Sequence, residues 1–429
     1  MEIFSLFILI LFRNTIMTVT HITSSEQAME LENKYGAHNY GPLPVVLSKG
    51  KGVYLWDVEG KRYYDFLSAY SAVNQGHSHP RILEALYMQA EKLALTSRAF
   101  YNDVLGKYEE FVTRFFGYDK VLPMNSGAEA VETALKICRK WGYEVKGIPD
   151  GQAQIVVVKN NFHGRTITVI TFSSSQETKH NFGPYTPGFI EIPYNDVAAL
   201  EKVLQENANI AGFLVEPIQG EAGVDVPDKG YLKKTKALCE QYNVLFIADE
   251  IQTGLGRTGK MLACDYEGVR PDIITLGKAL SGGFYPISAV LADNEIMEVI
   301  KPGEHGSTFG GNPISAAVGI ASLTVIKEEG LAENAAQMGE LFREKMKAYI
   351  QGSKIVKGVR GKGLLNAILI NDAPDSDTAW NICLKLRDNG LLAKPTHGNI
   401  IRFAPPLVMN KEQLMECVDI ITKSLKEFE

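Results

Sequence analysis

Cysteine is scarce in this sequence, long hydrophobic runs are missing, and positive charge does not predominate. The five cysteines are scattered and form no Cys-x-x-Cys pair, which argues against a disulfide framework and predicts buried or inert thiols in the reducing cytoplasm. The 44 lysines and arginines are outnumbered by 50 aspartates and glutamates, for a net charge of −6. This balance argues against nucleic acid or a membrane surface as a partner.

One apolar stretch, residues 3–12, could suggest a membrane segment. It falls far short of the ~20 residues that a transmembrane helix needs. Glu2 is the only charged side chain before it, no small-residue cleavage site follows, and Arg13 is the only arginine nearby. Signal and transit peptides are therefore disfavoured as well. Because Met17 begins an ordinary polar lead-in, we expect residues 1–16 to be a disordered or spurious extension.

The composition is otherwise that of an ordinary globular protein. Hydrophobic residues make up 45% and charged residues 22%, which is enough for a large core. Patterns of buried strands and helices alternate over residues 71–330, which predicts a large α/β domain. Residues 331–429 change to amphipathic helices and short strands, which predicts a smaller C-terminal α+β domain. Residues 17–70 are expected to form an N-terminal segment that packs with the small domain.

Two buried-strand patterns in residues 243–283 end in charged residues of opposite sign. Residues 244–248 lead into Asp249, and residues 273–276 run into Gly277 and Lys278. Short apolar runs of this kind predict parallel strands, whose carboxyl ends meet at the ligand-binding rim of an α/β sheet. A carboxylate and an amine brought there together match the needs of pyridoxal phosphate. Its aldehyde forms a Schiff base with a lysine, and its ring nitrogen needs a carboxylate.

The glycine-rich stretch between these runs also matches two nucleotide motifs. Residues 254–259 satisfy Gly-x-Gly-x-x-Gly, and Asp272 follows at roughly the acidic spacing of the dinucleotide fingerprint. However, residues 249–253 separate the preceding strand from the first glycine, and no long helix is predicted after the last. The same stretch nearly forms a phosphate-binding P-loop, but Met261 stands where that motif requires a hydroxyl-bearing residue. Both nucleotide interpretations are therefore disfavoured.

A helix with a strong start signal follows the apolar residues 121–124. Ser126 and Glu129 form a capping box, and apolar residues then repeat at helical spacing. Backbone N–H groups at a helix start can bind an anion, although a plain helix cap is the commoner use of such sequences. Because the predicted cofactor needs a phosphate site, residues 126–128 are the best candidate for it.

Two further pairs of residues have side chains suited to a site. Phe162 and Arg165 follow a buried-strand pattern, and their side chains suit stacking on a planar ring and bidentate binding of a carboxylate. His77 and His79 could be a metal-binding pair. With no further ligand at suitable spacing, a structural role is the favoured interpretation, and no metal is expected.

Residues 243–283 resemble the signature of the class III (ornithine/GABA-type) pyridoxal-phosphate aminotransferases. The matching features are the apolar residues before Asp249-Glu250, the glycine-rich stretch, Asp272-Ile273-Ile274 and Gly277-Lys278. The resemblance runs from about Tyr35 to the C-terminus and is strongest to the branch of the family that acts on ornithine. It implies the fold-type I architecture, an α/β fold with a mostly parallel seven-stranded sheet. It also implies pyridoxal 5′-phosphate as the cofactor.

The resemblance implies which residues hold the phosphate and the face of the cofactor ring. Gly127 and Ala128 would bind the phosphate through their backbone, and Phe162 would stack on the pyridine ring. Thr308 would reach the phosphate in the neighbouring subunit. The active unit is therefore expected to be a homodimer or a higher homo-oligomer.

Three further residues are implied for the reactive edge of the cofactor. Asp249 would pair with the ring nitrogen, and Gln252 would bind the ring hydroxyl. Lys278 would be the Schiff-base lysine and, once freed, the general base and acid that moves the proton.

Substrate residues are also implied by the resemblance. Tyr40 and Tyr70 match the two tyrosines that recognise the α-amino end of ornithine, and Arg165 would take its α-carboxylate. Glu221 and Arg402 would form a gating pair in which Glu221 neutralises Arg402 while ornithine is bound. Release of Arg402 would then allow 2-oxoglutarate, a dianion, to enter the same site.

The expected reaction is transfer of the δ-amino group of L-ornithine to 2-oxoglutarate, giving glutamate and glutamate 5-semialdehyde, which cyclises to pyrroline-5-carboxylate. An alternative within the family is an enzyme for acetylornithine or GABA, whose members generally lack a tyrosine at the position of Tyr70. A second alternative is a non-catalytic protein that keeps the fold as a ligand sensor, but such proteins usually lose the lysine or the carboxylate. The glycine-rich match would also allow a nicotinamide oxidoreductase, which is less favoured than either of these alternatives.

Overall fold

The computed structural model describes residues 22–429 of the chain. Contacts divide it into two units. The first consists of the described part of residues 1–49 together with residues 55–62, and the second consists of residues 50–54 and 63–429.

Two expectations about chain organisation are not tested by this division. The extension expected at residues 1–16 lies outside the described residues, and the domain boundaries expected at residues 70 and 330 stay predictions. Within residues 22–429, no helix is long and apolar enough to cross a membrane.

The first unit contains a short helix and a tight turn between strands. Helix α1 (Ser25–Tyr35) begins after Ser24, whose hydroxyl accepts a bond from the backbone N–H of Gln27. Both the backbone N–H and the hydroxyl of Ser25 donate to the Glu59 carboxylate, at 2.7 and 2.8 Å. Glu59 lies in the tight turn between two strands. The strands that run through this part of the chain are β1 (Leu47–Lys51), β2 (Tyr54–Asp57) and β3 (Arg62–Asp65).

The second unit is built on a seven-stranded sheet. Its strands are β4 (Lys120–Met124), β5 (Gln154–Val158), β6 (Phe189–Ile192), β7 (Ile210–Val215), β8 (Leu245–Asp249), β9 (Ile273–Leu276) and β10 (Ser288–Ala292). Their order across the sheet is β4-β10-β9-β8-β7-β5-β6. Only β10 runs antiparallel to its neighbours. The mostly parallel seven-stranded sheet expected from the sequence is confirmed.

The central strands of the sheet are buried along their whole length, as is typical of a parallel sheet that is covered on both faces. Every residue of β7, β8, β9 and β10 is buried. The helices of this region are α2 (Pro80–Lys92), α3 (Leu105–Phe116), α4 (Gly127–Glu144), α5 (Ile167–Thr171), α6 (Val197–Glu206), α7 (Tyr231–Gln241), α8 (Asn294–Met297) and α9 (Pro313–Glu328). The capping box predicted at Ser126 and Glu129 is present at the start of α4.

The glycine-rich stretch, residues 254–259, forms a loop and does not open a helix. Its Arg257 is fully buried and donates hydrogen bonds to parts of the chain far apart in sequence. Nη1 donates to the backbone carbonyls of Leu364 and Pro405, at 3.0 and 2.6 Å, and Nη2 donates to Oδ1 of Asn74 at 2.6 Å. Burial lowers the pKa of the guanidinium to about 9. This stretch therefore has a structural role, and it lacks the strand–turn–helix form of a nucleotide motif.

The C-terminal part of the second unit is a smaller layer of helices on an antiparallel sheet. Its elements are α10 (Leu331–Ile350), β11 (Val356–Lys362), β12 (Leu365–Ile370), α11 (Thr378–Asp388), β13 (Leu391–Leu392), β14 (Lys394–Pro395), β15 (Ile400–Phe403) and α12 (Lys411–Lys426). The sheet has the order β11-β12-β15-β14. Strand β13 instead pairs in parallel with β3, so that Leu391 and Leu392 lie opposite Tyr64 and Asp65.

Candidate active site

Four parallel strands deliver polar residues to one rim of the central sheet. Asp249 ends β8, Lys278 follows β9, Glu216 follows β7, and Phe162 and His163 follow β5. A cavity opens at this rim, where the carboxyl ends of parallel strands meet. Its walls include seven of the residues predicted from the sequence: Gly127, Ala128, Phe162, Glu221, Asp249, Gln252 and Lys278.

Asp249 is held in place as a hydrogen-bond acceptor. It is 4% exposed, and its Oδ2 lies 2.6 Å from Nδ1 of His163. Oδ1 accepts bonds from the backbone N–H of Ile251 at 3.1 Å and from the Thr275 hydroxyl at 3.3 Å. Burial opposes a charge on His163, but its hydrogen bond to Asp249 and the charges of Asp249 and Glu216 raise its pKa. The His163 contact fixes the orientation of the Asp249 carboxylate at the wall of the cavity.

Lys278 faces the cavity from the short 3₁₀ turn Lys278–Ser281, which begins directly after Gly277. Its surroundings lower the pKa of its amine, because burial disfavours the ammonium more strongly than Glu221 and Asp249 favour it. A lysine with a lowered pKa is more often unprotonated. Lys278 can therefore serve as a nucleophile and as a proton acceptor.

The start of α4 forms the part of the cavity that suits an anion. The Ser126 side chain accepts the N–H of Glu129. Gly127 and Ala128 are the first two residues of the helix, where N–H groups have no partner within the helix. The backbone is tightly packed here, since a Cβ on Gly127 would lie 3.1 Å from Ile251 and one on Gly164 would lie 2.9 Å from Ala128. The positive end of the helix dipole also favours negative charge at this position.

Arg402, which is buried, forms an ion pair with the partly exposed Glu221 at the edge of the cavity. Arg402 lies on β15 and is 2% exposed. Its Nη1 donates to Oε1 of Glu221 at 2.8 Å, and Nε2 of Gln252 donates to the same oxygen at 3.3 Å. Burial alone would raise the pKa of Glu221, but Arg402 outweighs it and the net pKa is lowered. The guanidinium carbon of Arg402 also lies 4.9 Å from the centre of the Tyr70 ring.

The chemistry of this cavity suits a planar anionic cofactor. Phe162 offers an aromatic face, Asp249 a carboxylate, Lys278 an amine and α4 an anion site. Two buried polar atoms, Nε2 of His163 and Oε1 of Gln252, lack a hydrogen-bond partner within residues 22–429. A ligand that bonds the Gln252 amide would reduce the cost of burying such a group. The residues therefore fit pyridoxal phosphate.

Five predicted residues do not line the cavity. Arg402 and Tyr70 lie beside it, next to Glu221, and the other three are exposed. Tyr40 belongs to the first unit and is 64% exposed. Thr308 is exposed in the loop before α9. Arg165 is exposed, with its guanidinium carbon 5.9 Å from the centre of the Phe162 ring. The roles expected for these residues stay predictions.

Two residues that line the cavity, His163 and Glu216, have no role predicted from the sequence. Glu216 is 5% exposed, and burial raises its pKa to about 7. Its Oε2 accepts the backbone N–H of Phe162 at 2.9 Å. A signal for both was available, because each follows a buried-strand pattern, as Asp249 does.

The chain is similar to known proteins over most of its length. The family model described as "Aminotransferase class-III" matches residues 35–425. The rat protein "Ornithine aminotransferase, mitochondrial" is 60% identical over 405 residues, which cover 94% of this chain and 91% of the relative. The Drosophila melanogaster protein of the same name is 61% identical over 401 residues, which cover 94% of this chain and 92% of the relative.

Solved structures give two further similarities. The ornithine aminotransferase of Toxoplasma gondii ME49 has a TM-score of 0.93 and 50% identity, covering 95% of this chain and 96% of that chain. The structure named as acetylornithine aminotransferase from Elizabethkingia anophelis has a TM-score of 0.88 and 63% identity, covering 95% of this chain and 100% of that chain.

Proposed function

The chain belongs to the class-III aminotransferases, and from that premise we propose that it transfers the δ-amino group of L-ornithine to 2-oxoglutarate with pyridoxal 5′-phosphate as cofactor. The products are glutamate and glutamate 5-semialdehyde. The observation that carries the substrate assignment is the ion pair of the buried Arg402 with Glu221, beside Tyr70. This arrangement lets a single cavity accept a cationic donor and then an anionic acceptor.

When bound, pyridoxal phosphate supplies an aldehyde that takes up amines and a ring that withdraws electrons from the reacting carbon. Lys278 would hold the cofactor, and its amine, with a pKa lowered by burial, would be the group that takes up and returns the proton of the donor carbon. Asp249 holds the ring nitrogen protonated, and His163 fixes the Asp249 carboxylate through the 2.6 Å contact. Phe162 covers the face of the ring, and Gln252 binds its hydroxyl.

The phosphate of the cofactor is bound at the start of α4. The backbone N–H groups of Gly127 and Ala128 donate to it, aided by the helix dipole. Glu216 supports the opposite part of the site by accepting the N–H of Phe162.

Recognition of the donor depends on charge. Tyr70 holds the α-amino end of ornithine, Arg165 binds its α-carboxylate, and Glu221 neutralises Arg402 while the cationic donor is present. When 2-oxoglutarate replaces ornithine, Glu221 turns away and Arg402 binds one carboxylate while Arg165 binds the other. An unpaired buried guanidinium would otherwise repel the donor.

A second candidate substrate is acetylornithine, which is favoured by the name of the Elizabethkingia anophelis structure at 63% identity. Acetylation removes the charge of the α-amino group, so a site built for acetylornithine would have no need of a tyrosine that recognises that group. The presence of Tyr70 beside Arg402 favours ornithine.

The working unit is a homodimer in which Thr308 of each subunit completes the phosphate site of the other. Large exposed aromatic rings support this, since Phe100, Tyr101 and Phe309 are 71%, 105% and 47% exposed. Sedimentation of the purified protein tests the assembly. A Thr308→Ala variant should bind the cofactor more weakly, and unchanged cofactor affinity would contradict the assignment of Thr308.

For location we propose the cytoplasm. The five cysteines are free and buried, as expected in a reducing compartment. The rat and fly relatives carry the word mitochondrial in their names. Fractionation of cells that express the native protein distinguishes the two compartments.

An absorbance spectrum with single substrates tests the proposed function. The cofactor-loaded protein is mixed with L-ornithine in the absence of any keto acid. Loss of the visible cofactor band and growth of the near-ultraviolet band of the amine form of the cofactor would support both cofactor and donor. A visible band that responds to acetylornithine or GABA but not to ornithine would change the assigned substrate to the compound that gives the response. Absence of any band after adding pyridoxal phosphate would refute the proposal that the chain is a pyridoxal-phosphate enzyme.

A further inference from the structure

Four consecutive residues that are not glycine adopt the left-handed conformation at residues 68–71. Their φ values are 49° at Ser68, 46° at Ala69, 59° at Tyr70 and 77° at Ser71. For residues with a side chain this conformation is unfavourable, and it normally occurs at single positions. A turn of this kind, called here the left-handed turn, persists only where its surroundings hold it.

One buried carboxylate holds the start of the left-handed turn. Oδ1 of Asp65 accepts the backbone N–H groups of both Leu67 and Ser68, each at 2.8 Å. Asp65 is 3% exposed, so water competes little for these bonds. The turn contains further unfavourable features, because the hydroxyls of Ser68 and Ser71 are buried without a partner within residues 22–429. Asp65 therefore has to offset both strain and lost hydrogen bonds.

His77 in turn fixes Asp65. Its Nε2 donates to Oδ2 of Asp65 at 2.7 Å, on the oxygen that the turn does not use. The backbone of His77 exchanges two hydrogen bonds with Gly52, at 2.9 and 2.8 Å. The ring packs so closely on Gly50 that a Cβ there would lie 2.8 Å from it. His77 is therefore immobilised by backbone and packing before it contacts Asp65.

The left-handed turn carries Tyr70 to the edge of the cavity. The Tyr70 ring lies under the guanidinium of Arg402, with the guanidinium carbon 4.9 Å from the ring centre. Arg402 is paired with Glu221, which lines the cavity. A displacement of the turn would thus move the ring that faces the ion pair.

We propose that Asp65 and His77 are positioning residues for donor recognition, which hold the left-handed turn so that Tyr70 meets the α-amino end of the donor. This proposal rests on the proposed function, since it assumes a donor with an α-amino group. The role of His77 would then be to hold Asp65, which differs from binding a metal and from starting helix α2.

The test compares two donors that share the reacting δ-amine. L-ornithine has the α-amino group, and 5-aminovalerate lacks it. In His77→Leu, the ratio of kcat/KM for ornithine to that for 5-aminovalerate should fall about tenfold, because the buried Asp65 carboxylate loses a hydrogen bond. His77→Gln, which can still donate to Asp65, should recover most of the ratio.

Two controls separate positioning from general damage. His79→Leu removes a histidine that pairs with Glu329 at 3.1 Å and bears no relation to the turn, so the ratio should not change. In a Tyr70→Phe background, His77→Leu should lower the ratio less than twofold further, because the contact that it positions is already lost. A full tenfold loss in that background would overturn the proposal.

Hydrogen exchange provides a readout that needs no activity. The amides of Leu67 and Ser68 should exchange faster in His77→Leu than in His79→Leu, and equal exchange would overturn the proposal. A wild-type protein that does not turn over ornithine would overturn the proposed function and the donor role with it. Normal wild-type turnover with an unchanged ratio in His77→Leu would overturn the positioning role alone.

Discussion

Replacing Glu221 with glutamine would leave Arg402 buried without a countercharge. The shape of the side chain and an acceptor oxygen for Arg402 and Gln252 are kept, so the change removes charge and little else. Arg402 is 2% exposed and cannot be screened by water. A donor amine bound at Tyr70 would lie about 8 Å from the guanidinium, where two unit charges repel by about 2 kcal/mol at an effective dielectric constant of about 20. That energy corresponds to about a 30-fold loss in kcat/KM for ornithine.

The two half-reactions respond differently, and this difference is the diagnostic feature. Stopped-flow absorbance of the cofactor measures ornithine with the aldehyde form and 2-oxoglutarate with the amine form. Glu221→Gln should slow the first by about 30-fold. It should leave the second unchanged or faster, because the acceptor no longer competes with Glu221 for Arg402.

A matched control removes a charge nearby. Asp225 lies in the same loop after β7, pairs with Arg360 at 3.5 Å, and has a side chain that is 45% exposed. Asp225→Asn should alter neither half-reaction. An equal loss in both half-reactions of Glu221→Gln, or the same pattern in Asp225→Asn, would refute the charge argument.

Three further outcomes are expected. Lys278→Ala should abolish both half-reactions in the same absorbance assay, and appreciable turnover would contradict its role. Arg257→Lys should lower the free energy of unfolding by about 3 kcal/mol, because an ammonium cannot keep all the bonds of the guanidinium fork; a urea midpoint no lower than that of the exposed Arg270→Lys control would contradict this. Glu216 has its pKa raised by burial from 4.5 to about 7, so the folded chain retains a proton there that the unfolded chain releases. Stability of the cofactor-free protein should therefore fall by up to about 3 kcal/mol between pH 5 and pH 8, and a Glu216→Gln variant with the same pH slope would argue against it.

Local patterns were sufficient to predict the frame of the site. The strands ending at Asp249 and before Lys278 are short apolar runs, and their pairing in parallel brings both residues to one rim. The capping box at Ser126 is likewise a signal contained within a few residues. Such features depend on backbone periodicity, which a single sequence displays. The resemblance to a family added Gln252, Glu221 and Arg402, whose contacts join distant parts of the chain.

Other parts of the site had no local signal. His163 and Asp249 are 86 residues apart, and only the assembled sheet brings them within 2.6 Å. The left-handed turn contains no glycine, so its sequence does not predict it. Its strain is offset by Asp65 and His77, which lie outside the turn. A structural role for His77 is predicted from the sequence, but its partner Asp65 cannot be inferred from spacing along the chain.

The buried cysteines can report which parts of the folded chain open. All five thiols lie within the part of the chain that the structure describes, and burial raises the pKa of each of them. The thiolate is the form of cysteine that attacks an alkylating reagent, so a buried cysteine reacts only when the surrounding element separates from the core. The five sites are Cys138 in α4, Cys239 in α7, Cys264 in a 3₁₀ turn, Cys383 in α11 and Cys417 in α12. Mass spectrometry would establish the order in which the five cysteines are alkylated. That order would rank these regions by how readily each one opens.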